Sequence, residues 1–98
     1  MSTATRAAAV PTVQVDNDAV KVTEWRFAPD AETGWHRHEY DYVVVPVTDG
    51  RLRLETPNGE IEAELKLGQS YSRSVGVEHN VINASGHELV FVEVEIKR

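Results

Sequence analysis

Three histidines in this chain have the residue type and spacing of a transition-metal site. His36 and His38 are separated by one residue, and His79 stands far along the chain. On a β-strand, His36 and His38 point to the same face, because successive side chains alternate between faces. Neutral imidazole is a common protein ligand for zinc, copper, iron and nickel. Two imidazoles alone make a weak site, so a metal centre is predicted only if His79 joins the pair.

The surroundings of His79 resemble the second sequence motif of the cupin superfamily. That motif has a glycine, a Pro-X-Gly turn, a histidine and an asparagine at fixed spacings, and this chain keeps every spacing. Serine replaces the proline in the matching residues, which are Gly68, Ser74, Gly76, His79 and Asn83. The resemblance implies that His79 binds one metal ion together with His36 and His38.

The first cupin motif matches less completely. Asp30 stands where the motif has its first glycine, the histidine pair is present, and Gly50 closes the motif. The glutamate of the motif is absent, because its position holds Tyr42 or Val43, depending on the spacing used. The family pattern of three histidines and one carboxylate is thereby reduced to three histidines. The resemblance then implies a more cationic site, which can change the metal preference.

Tyr42 is the candidate catalytic residue. If the strand continues unbroken from His38, Tyr42 lies on the ligand side and Asp41 on the other, whereas a bulge would reverse the two. Tyr42 could then coordinate the metal as phenolate, hydrogen-bond a substrate, or act as an acid whose pKa is lowered by the nearby cation. A tyrosine that only packs in the core is an equal alternative.

The resemblance covers roughly residues 13–96 and implies both fold and partners. Around Gly34–Pro46 the chain is similar to small single-domain bacterial cupins of the beta-alanine degradation group. It implies a cupin-type double-stranded β-helix, which is a jelly-roll barrel. It also implies one divalent transition metal per chain, with nickel, zinc, iron and manganese all open, and a homodimer paired through outer strands.

The pattern of apolar residues predicts an all-β chain without reference to any family. Residues 61–67 and 89–96 alternate with a period of two, as in strands that have one solvated face. Turn signals such as Asn58-Gly59 separate the short runs, which indicates a sandwich or barrel of eight to ten strands. The nearly continuous apolar run Tyr40–Val47 predicts a central strand buried on both faces.

Length and composition predict one domain. Ninety-eight residues provide a single hydrophobic core. Residues 1–11 are predicted to be a flexible N-terminal arm, with a strand that crosses to a partner subunit as the alternative, and residues 12–98 to be the barrel domain. Three aromatic residues around the first motif, Trp25, Phe27 and Trp35, are expected to fill the core, with stacking on a ligand as the alternative. His87, in a turn, is expected to be exposed.

Composition also excludes several classes of function. The formal net charge of −6 disfavours nucleic acid as a partner. No apolar stretch is long enough to span a bilayer, and Met1–Val10 lacks the apolar core of a signal peptide, so a cytoplasmic protein without a membrane partner is predicted. The absence of cysteine excludes disulfides and thiolate zinc sites, which leaves nitrogen and oxygen ligands.

These observations support three functional hypotheses. Three imidazoles leave coordination positions open, so the first is a metal-dependent enzyme that acts on a small anionic metabolite such as a carboxylate or keto acid. The second is a non-catalytic module that binds or senses a small molecule or a metal. The third is a metal-free barrel in which His79 or Tyr42 serves as general acid or base.

Overall fold

The computed structural model describes residues 6–97, and within that range it contains nine β-strands and no helix. The all-β prediction and the expected number of strands are confirmed. The strands, in chain order, are β1 (Val10–Asp16), β2 (Val20–Phe27), β3 (His36–Arg37), β4 (Asp41–Pro46), β5 (Gly50–Thr56), β6 (Gly59–Leu65), β7 (Tyr71–Arg73), β8 (Glu78–Asn83) and β9 (Leu89–Ile96).

The strands form two antiparallel sheets, the architecture of a double-stranded β-helix. One sheet has the order β1-β2-β9-β4-β7 and the other the order β3-β8-β5-β6. The core lies between the inner faces of the sheets, and its buried residues are Ala9, Phe27, Ala31, Tyr42, Val44, Leu52, Leu65, Val81, Leu89 and Phe91.

Strand β9 alternates as predicted, and its inner face carries a charged residue. It pairs in register with β2 on one side and with β4 on the other. Leu89, Phe91 and Glu93 point inward and are 0%, 4% and 9% exposed. A carboxyl group from the middle of the first sheet therefore lies inside the barrel.

Strand β4 lies between β9 and β7, so its predicted interior position is confirmed. Burial on both faces is not found in the single chain, because Val43 and Val45 on the outer face of β4 are only partly buried, and Val47, after the strand, is 47% exposed. The outer side chains of β4 pair with valines of β9 and, through them, of β2. We call this outer surface the valine face, and its members are Val20, Val22, Val43, Val45, Val92 and Val94.

The N-terminal segment joins both sheets from residue 6 onward. Residues 1–5 of the predicted arm lie outside the described residues. Arg6 forms an ion pair with Glu32 at 3.1 Å, and the Ala9 N–H donates to the Glu32 carbonyl at 2.8 Å. Strand β1 begins at Val10 and pairs with β2. The domain boundary predicted after residue 11 thus falls inside a strand, because the backbone before it already forms hydrogen bonds to the barrel.

The residue that replaces the first glycine of the first motif adopts a glycine-like backbone. Asp30 has a φ of 65°, and it is the only non-glycine residue with positive φ among residues 6–97. This left-handed conformation is one that glycine adopts without strain and that aspartate tolerates better than most residues. The departure from the motif therefore preserves the turn.

Asn83, the last residue of the second motif, joins two loops. It is fully buried, and its Nδ2 lies 3.3, 3.2 and 2.7 Å from the carbonyl oxygens of Phe27, Ala28 and His87. Its Oδ1 accepts the Ser85 N–H at 2.9 Å. A buried amide that both donates and accepts explains why asparagine suits this position.

The aromatic residues around the first motif differ in burial. Phe27 is fully buried, and Trp25 packs partly buried against the core, as expected. Trp35 is 53% exposed, so the prediction that it fills the core is wrong. It lies in the bend directly before β3. His87 is exposed, as predicted.

Candidate metal centre

Pairing of β3 with β8 brings the three histidines together. His36 lies directly opposite His79 in this pair. His38 follows the end of β3, where its N–H donates to the Val77 carbonyl and its carbonyl accepts the Gly76 N–H, both at 2.9 Å. Gly76 has a φ of 95°, so the glycine of the second motif makes the turn that holds His38 against β8.

The three imidazoles direct their Nε2 atoms at one another. Nε2 of His38 lies 3.0 Å from that of His36 and 3.1 Å from that of His79. Nitrogens bound to one zinc at about 2.0–2.1 Å are roughly 2.9 Å apart at a right angle and about 3.4 Å apart at a tetrahedral angle. The observed separations fall between these values. The residues therefore fit a first-row divalent metal.

The backbone fixes the tautomer of His36. Its Nδ1 lies 2.8 Å from the Gly34 carbonyl oxygen. A carbonyl can only accept, so Nδ1 carries the hydrogen in the neutral ring and Nε2 presents a lone pair. Such a bond from the distal ring nitrogen commonly orients a metal-binding histidine.

Burial keeps the other two rings neutral. The pKa of His38 is lowered to about 3, by burial first and then by His36 and His79. The pKa of His79 is lowered to about 4, by burial first, then by His36 and Arg73. Neither nitrogen therefore has to lose a proton near pH 7 in order to bind a cation.

Tyr42 lies on the ligand side, as strand parity predicts. The register of β4 is continuous, and Asp41 is exposed and accepts the Val75 N–H at 2.8 Å. The Tyr42 ring stacks on His38 with centroids 3.9 Å apart and an interplanar angle of 20°. Burial, followed by the charge of Glu93, raises the pKa of Tyr42 well above its usual value. The residue thus supports the His38 ring as a neutral phenol, and its catalytic role stays a prediction.

Glu93 is a site residue that the sequence did not reveal. A carboxylate oxygen of Glu93 lies within 4.8 Å of a ring nitrogen of His38 and of a carboxylate oxygen of Glu95. Burial raises the pKa of Glu93 to about 7, and Glu95 adds to the rise, whereas a hydrogen bond from Trp25 opposes it. The barrel therefore has a buried carboxyl near the histidines, on a different strand from the missing glutamate of the first motif.

A polar network on the far side of β8 holds the backbone around His36. Nδ2 of Asn80 donates to Glu32 and Glu55, both at 2.8 Å, and its Oδ1 accepts the Gly34 N–H at 2.9 Å. Asn80 directly follows His79 and is 5% exposed. In the sequence, the signal for this network is an asparagine directly after the predicted ligand His79.

Two cavities border the histidines. The inner cavity, of about 310 Å³, lies inside the barrel and is lined by His79, Tyr42, Glu93 and Arg73 together with apolar side chains of both sheets. The outer cavity, of about 440 Å³, borders His36 and His38 and is lined mainly by charged residues. A larger open groove, of about 720 Å³, includes His87 and none of the three converging histidines.

No helix among residues 6–97 is long and apolar enough to cross a membrane.

Comparison with known proteins identifies one domain family in this chain. The profile of the family described as Cupin domain matches residues 23–95. The beta-alanine degradation protein BauB of Pseudomonas aeruginosa is 72% identical over 92 residues, which are 94% of this chain and 97% of that protein.

Solved structures agree with the fold. A cupin domain from Bordetella pertussis has a TM-score of 0.94 and 64% identity, over 96% of this chain and 98% of that chain. A Klebsiella pneumoniae protein with a double-stranded beta-helix domain has a TM-score of 0.78 and 21% identity, over 95% of this chain and 80% of its own. The second likeness concerns the fold alone.

Proposed function

Because this chain belongs to the cupin domain family, we propose that it binds one divalent transition metal through His36, His38 and His79 and acts as a metal-dependent enzyme on a small anionic metabolite. The observation that carries the proposal is the convergence of three Nε2 atoms at 3.0 and 3.1 Å. The three residues are neutral donors, so they leave the charge of the metal uncompensated and attractive to a carboxylate.

The bound metal would supply Lewis acidity and open coordination positions for substrate, water or dioxygen. The other functions belong to residues of the chain. Tyr42 holds the ring of His38 by stacking, and the Gly34 carbonyl orients His36. Glu93 is the buried carboxyl that can accept or release a proton near pH 7 inside the barrel, because its pKa is raised to about 7.

The similarity to BauB supports a metabolic context. Its name assigns that protein to beta-alanine degradation, and the two chains match over nearly their whole lengths. We propose that this chain acts in the same process, on a short carboxylate or keto acid. In keeping with its lack of cysteine, we also propose that it works in the cytoplasm, which cell fractionation can test.

A non-catalytic binding module is the second candidate function. The observation that favours it is the burial of Tyr42. This residue is only 3% exposed, and burial keeps its hydroxyl protonated. A metal-binding pocket without a reactive side chain would capture a metabolite and release it unchanged. Recovery of unaltered ligand after tight binding to metal-loaded protein distinguishes this function from catalysis.

Elemental analysis of protein purified without a histidine tag tests the metal site. We expect about one transition metal per chain in the wild type and a strong loss of metal in His79→Ala with the β-sheet circular dichroism signal retained. His87→Ala is the matched control, because His87 is exposed and lines the open groove that includes none of the three histidines. Metal-free wild-type protein that also fails to bind added nickel, zinc, iron and manganese would contradict the site and favour acid–base use of His79 or Tyr42.

Turnover of short keto and hydroxy acids by the protein loaded with each of the four metals tests the enzymatic part. Tyr42→Phe retains the stacked ring and removes only the hydroxyl. Loss of turnover with unchanged metal content in this variant is the result expected if the hydroxyl is catalytic. Inactivity with every metal, together with tight binding of unaltered ligand, favours the binding module.

We further propose that the chain is a homodimer that pairs through the valine face. The six valines lie on the outer side of the five-stranded sheet, in which β1 is an edge strand. All seven residues of β1 are exposed, and its Val10 and Val15 are 59% and 41% exposed. A two-fold axis would place the same apolar surface of two chains against each other, which is the usual arrangement of a homodimer interface.

A further inference from the structure

The inner cavity has one cationic side chain in its lining, the exposed Arg73 of β7. We propose that this cavity is the ligand pocket and that Arg73 binds the carboxylate of the ligand, while the metal centre receives a carbonyl or hydroxyl oxygen at the other end. The inference rests on the proposed function, because it assumes a metal at His79 and its two neighbours. It adds the residue that recognises the anion and the orientation of the ligand.

The strand register places Arg73 on the inner side of the barrel. In the β4–β7 pair, Arg73 lies opposite Tyr42, and Tyr71 lies opposite Val44. Tyr42 and Val44 are buried core residues, so Arg73 and Tyr71 share the inward-facing side of the sheet. Arg73 extends over the Tyr71 ring, with its guanidinium carbon 4.5 Å from the ring centroid. This cation–π contact holds the guanidinium at the mouth of the cavity.

The guanidinium keeps hydrogen-bond donors available for a ligand. Among the described residues, no carboxylate forms an ion pair with Arg73. One of its nitrogens, Nη1, donates to the Ser72 carbonyl at 2.9 Å. Arginine has five N–H donors in a fork that matches a carboxylate, so several remain free.

The charges of the cavity select the position of an anion. Arg73 is the one arginine or lysine among the residues that line it, whereas Glu62, Glu78 and Glu93 also line it. An anionic group therefore finds favourable charge at Arg73 and at the metal centre, and repulsion elsewhere. A ligand with a carboxylate at one end and a neutral oxygen at the other satisfies both positions.

The walls and volume of the cavity limit the ligand to a short carbon chain. Its remaining lining residues are largely apolar, and they include Leu54, Val81 and Phe91. Its volume of about 310 Å³ is at the low end of ligand pockets, which span roughly 300–1,000 Å³. The outer cavity carries charges of both signs, including Lys21, Lys97 and Glu95, and gives no comparable apolar wall. The geometry thus favours a keto or hydroxy carboxylic acid of a few carbons.

Calorimetric titration of zinc-loaded protein with levulinate and with levulinamide tests the assignment. The two probes share a ketone and carbon chain and differ in the charge of the acid end. We expect wild-type protein to bind levulinate about tenfold or more tightly than levulinamide, and Arg73→Met to lose that preference, because charge-assisted hydrogen bonds carry it. Arg73→Lys should retain part of it.

Arg26→Met is the matched control. It makes the same charge change on the outer side of β2, where Arg26 pairs with Glu24 and Glu88, and should bind both probes as the wild type does. Equal levulinate affinity in wild type and Arg73→Met, or no preference or no binding in zinc-loaded wild type, would overturn the role of Arg73. Zinc content is measured in every sample. A wild-type protein that holds no zinc would contradict the proposed metal site and not the role of Arg73.

Discussion

At the scale of single residues, the candidate site differs from the cupin pattern in where its carboxyl group is found. The first motif has tyrosine at one of the two positions where the family has glutamate, and that tyrosine packs on His38. Glu93 brings a carboxyl group into the barrel from β9 instead. Its raised pKa follows from burial and from the neighbouring Glu95. The carboxyl group near the histidines therefore lies on β9, and the first-motif position on β4 holds a tyrosine.

The raised pKa of Glu93 predicts a specific pH dependence of stability. The pKa of Glu93 is about 7 in the folded protein and near 4.5 in the unfolded chain. Between these two pH values the folded state therefore holds a proton that the unfolded state has released. The free energy of unfolding contributed by Glu93 therefore falls as pH rises from 4.5 through 7 and is constant above. We expect the stability difference between wild type and Glu93→Gln to fall by up to about 3 kcal/mol between pH 4.5 and 8.

Urea unfolding of metal-stripped protein at pH 5 and pH 8 measures this difference. The histidines titrate in both proteins, so the comparison isolates the part of the pH dependence that depends on the Glu93 carboxyl. Glu64→Gln is the control, because it makes the same charge change at an exposed position of β6. A difference for Glu93→Gln that changes with pH no more than the difference for Glu64→Gln would mean that the carboxyl of Glu93 is not held protonated by its surroundings.

The sequence predicted the histidines but not Glu93, for a physical reason. His36, His38 and His79 belong to motifs whose spacing determines their positions on paired strands, so their convergence could be expected. Glu93 belongs to an alternating run in which one face is valine and the other mixed. Alternation identifies two faces of the strand without indicating which one is buried. A glutamate ordinarily indicates the solvent-exposed face. The choice depends on the partner strands, which the sequence of one strand does not contain.

At the scale of elements, the loops at one end of the barrel depend on a single amide. Asn83 of β8 lies within hydrogen-bond distance of three carbonyl oxygens, from residues on either side of it in the chain. We expect Asn83→Asp to lower the free energy of unfolding by about 3 kcal/mol or more, because a buried carboxylate would face those carbonyls and could not donate.

Chemical denaturation of the variant gives this value. Asn17→Asp is the matched control, since Oδ1 of Asn17 only accepts, from the N–H groups of Ala19 and Val20, and a carboxylate can do the same. Its effect should stay within about 0.5 kcal/mol. Similar losses in the two variants would show that added negative charge, and not the lost donor, is responsible.

The strands themselves were predictable from period-two patterns and turn residues, and the boundary of the N-terminal arm was not. Small polar residues at a chain end suggest freedom, because they contribute little side-chain burial. The hydrogen bonds that tie residues 7–9 to Glu32 are made by the backbone. Backbone pairing is independent of side-chain type, so the composition of this segment carried no signal for it.

At the scale of the whole molecule, one outer surface of the barrel is apolar in a protein of net charge −6. If two chains pair through the valine face, Val94→Lys should convert a dimer into a monomer, because it would bury an unpaired charge at the interface of each chain. Light scattering coupled to gel filtration gives the mass. We expect about twice the 10.9 kDa of one chain for wild type and one chain mass for the variant.

Val75→Lys is the control, because Val75 is 54% exposed in the loop before β8 and lies outside the valine face. It should leave the mass of the assembly unchanged. A wild-type protein of one chain mass at high concentration would remove the homodimer, and a Val94→Lys dimer would place the interface on another surface.

The separation of the histidines along the chain also determines when the proposed metal ion could be acquired. His38 and His79 are 41 positions apart, and the β5–β6 hairpin lies between them. The third donor is synthesised after the first two and lies beside them only when β8 pairs with β3. The three histidines therefore form one set only after the barrel has closed. Any ion at the proposed centre would then come from the metal pool that the finished protein encounters.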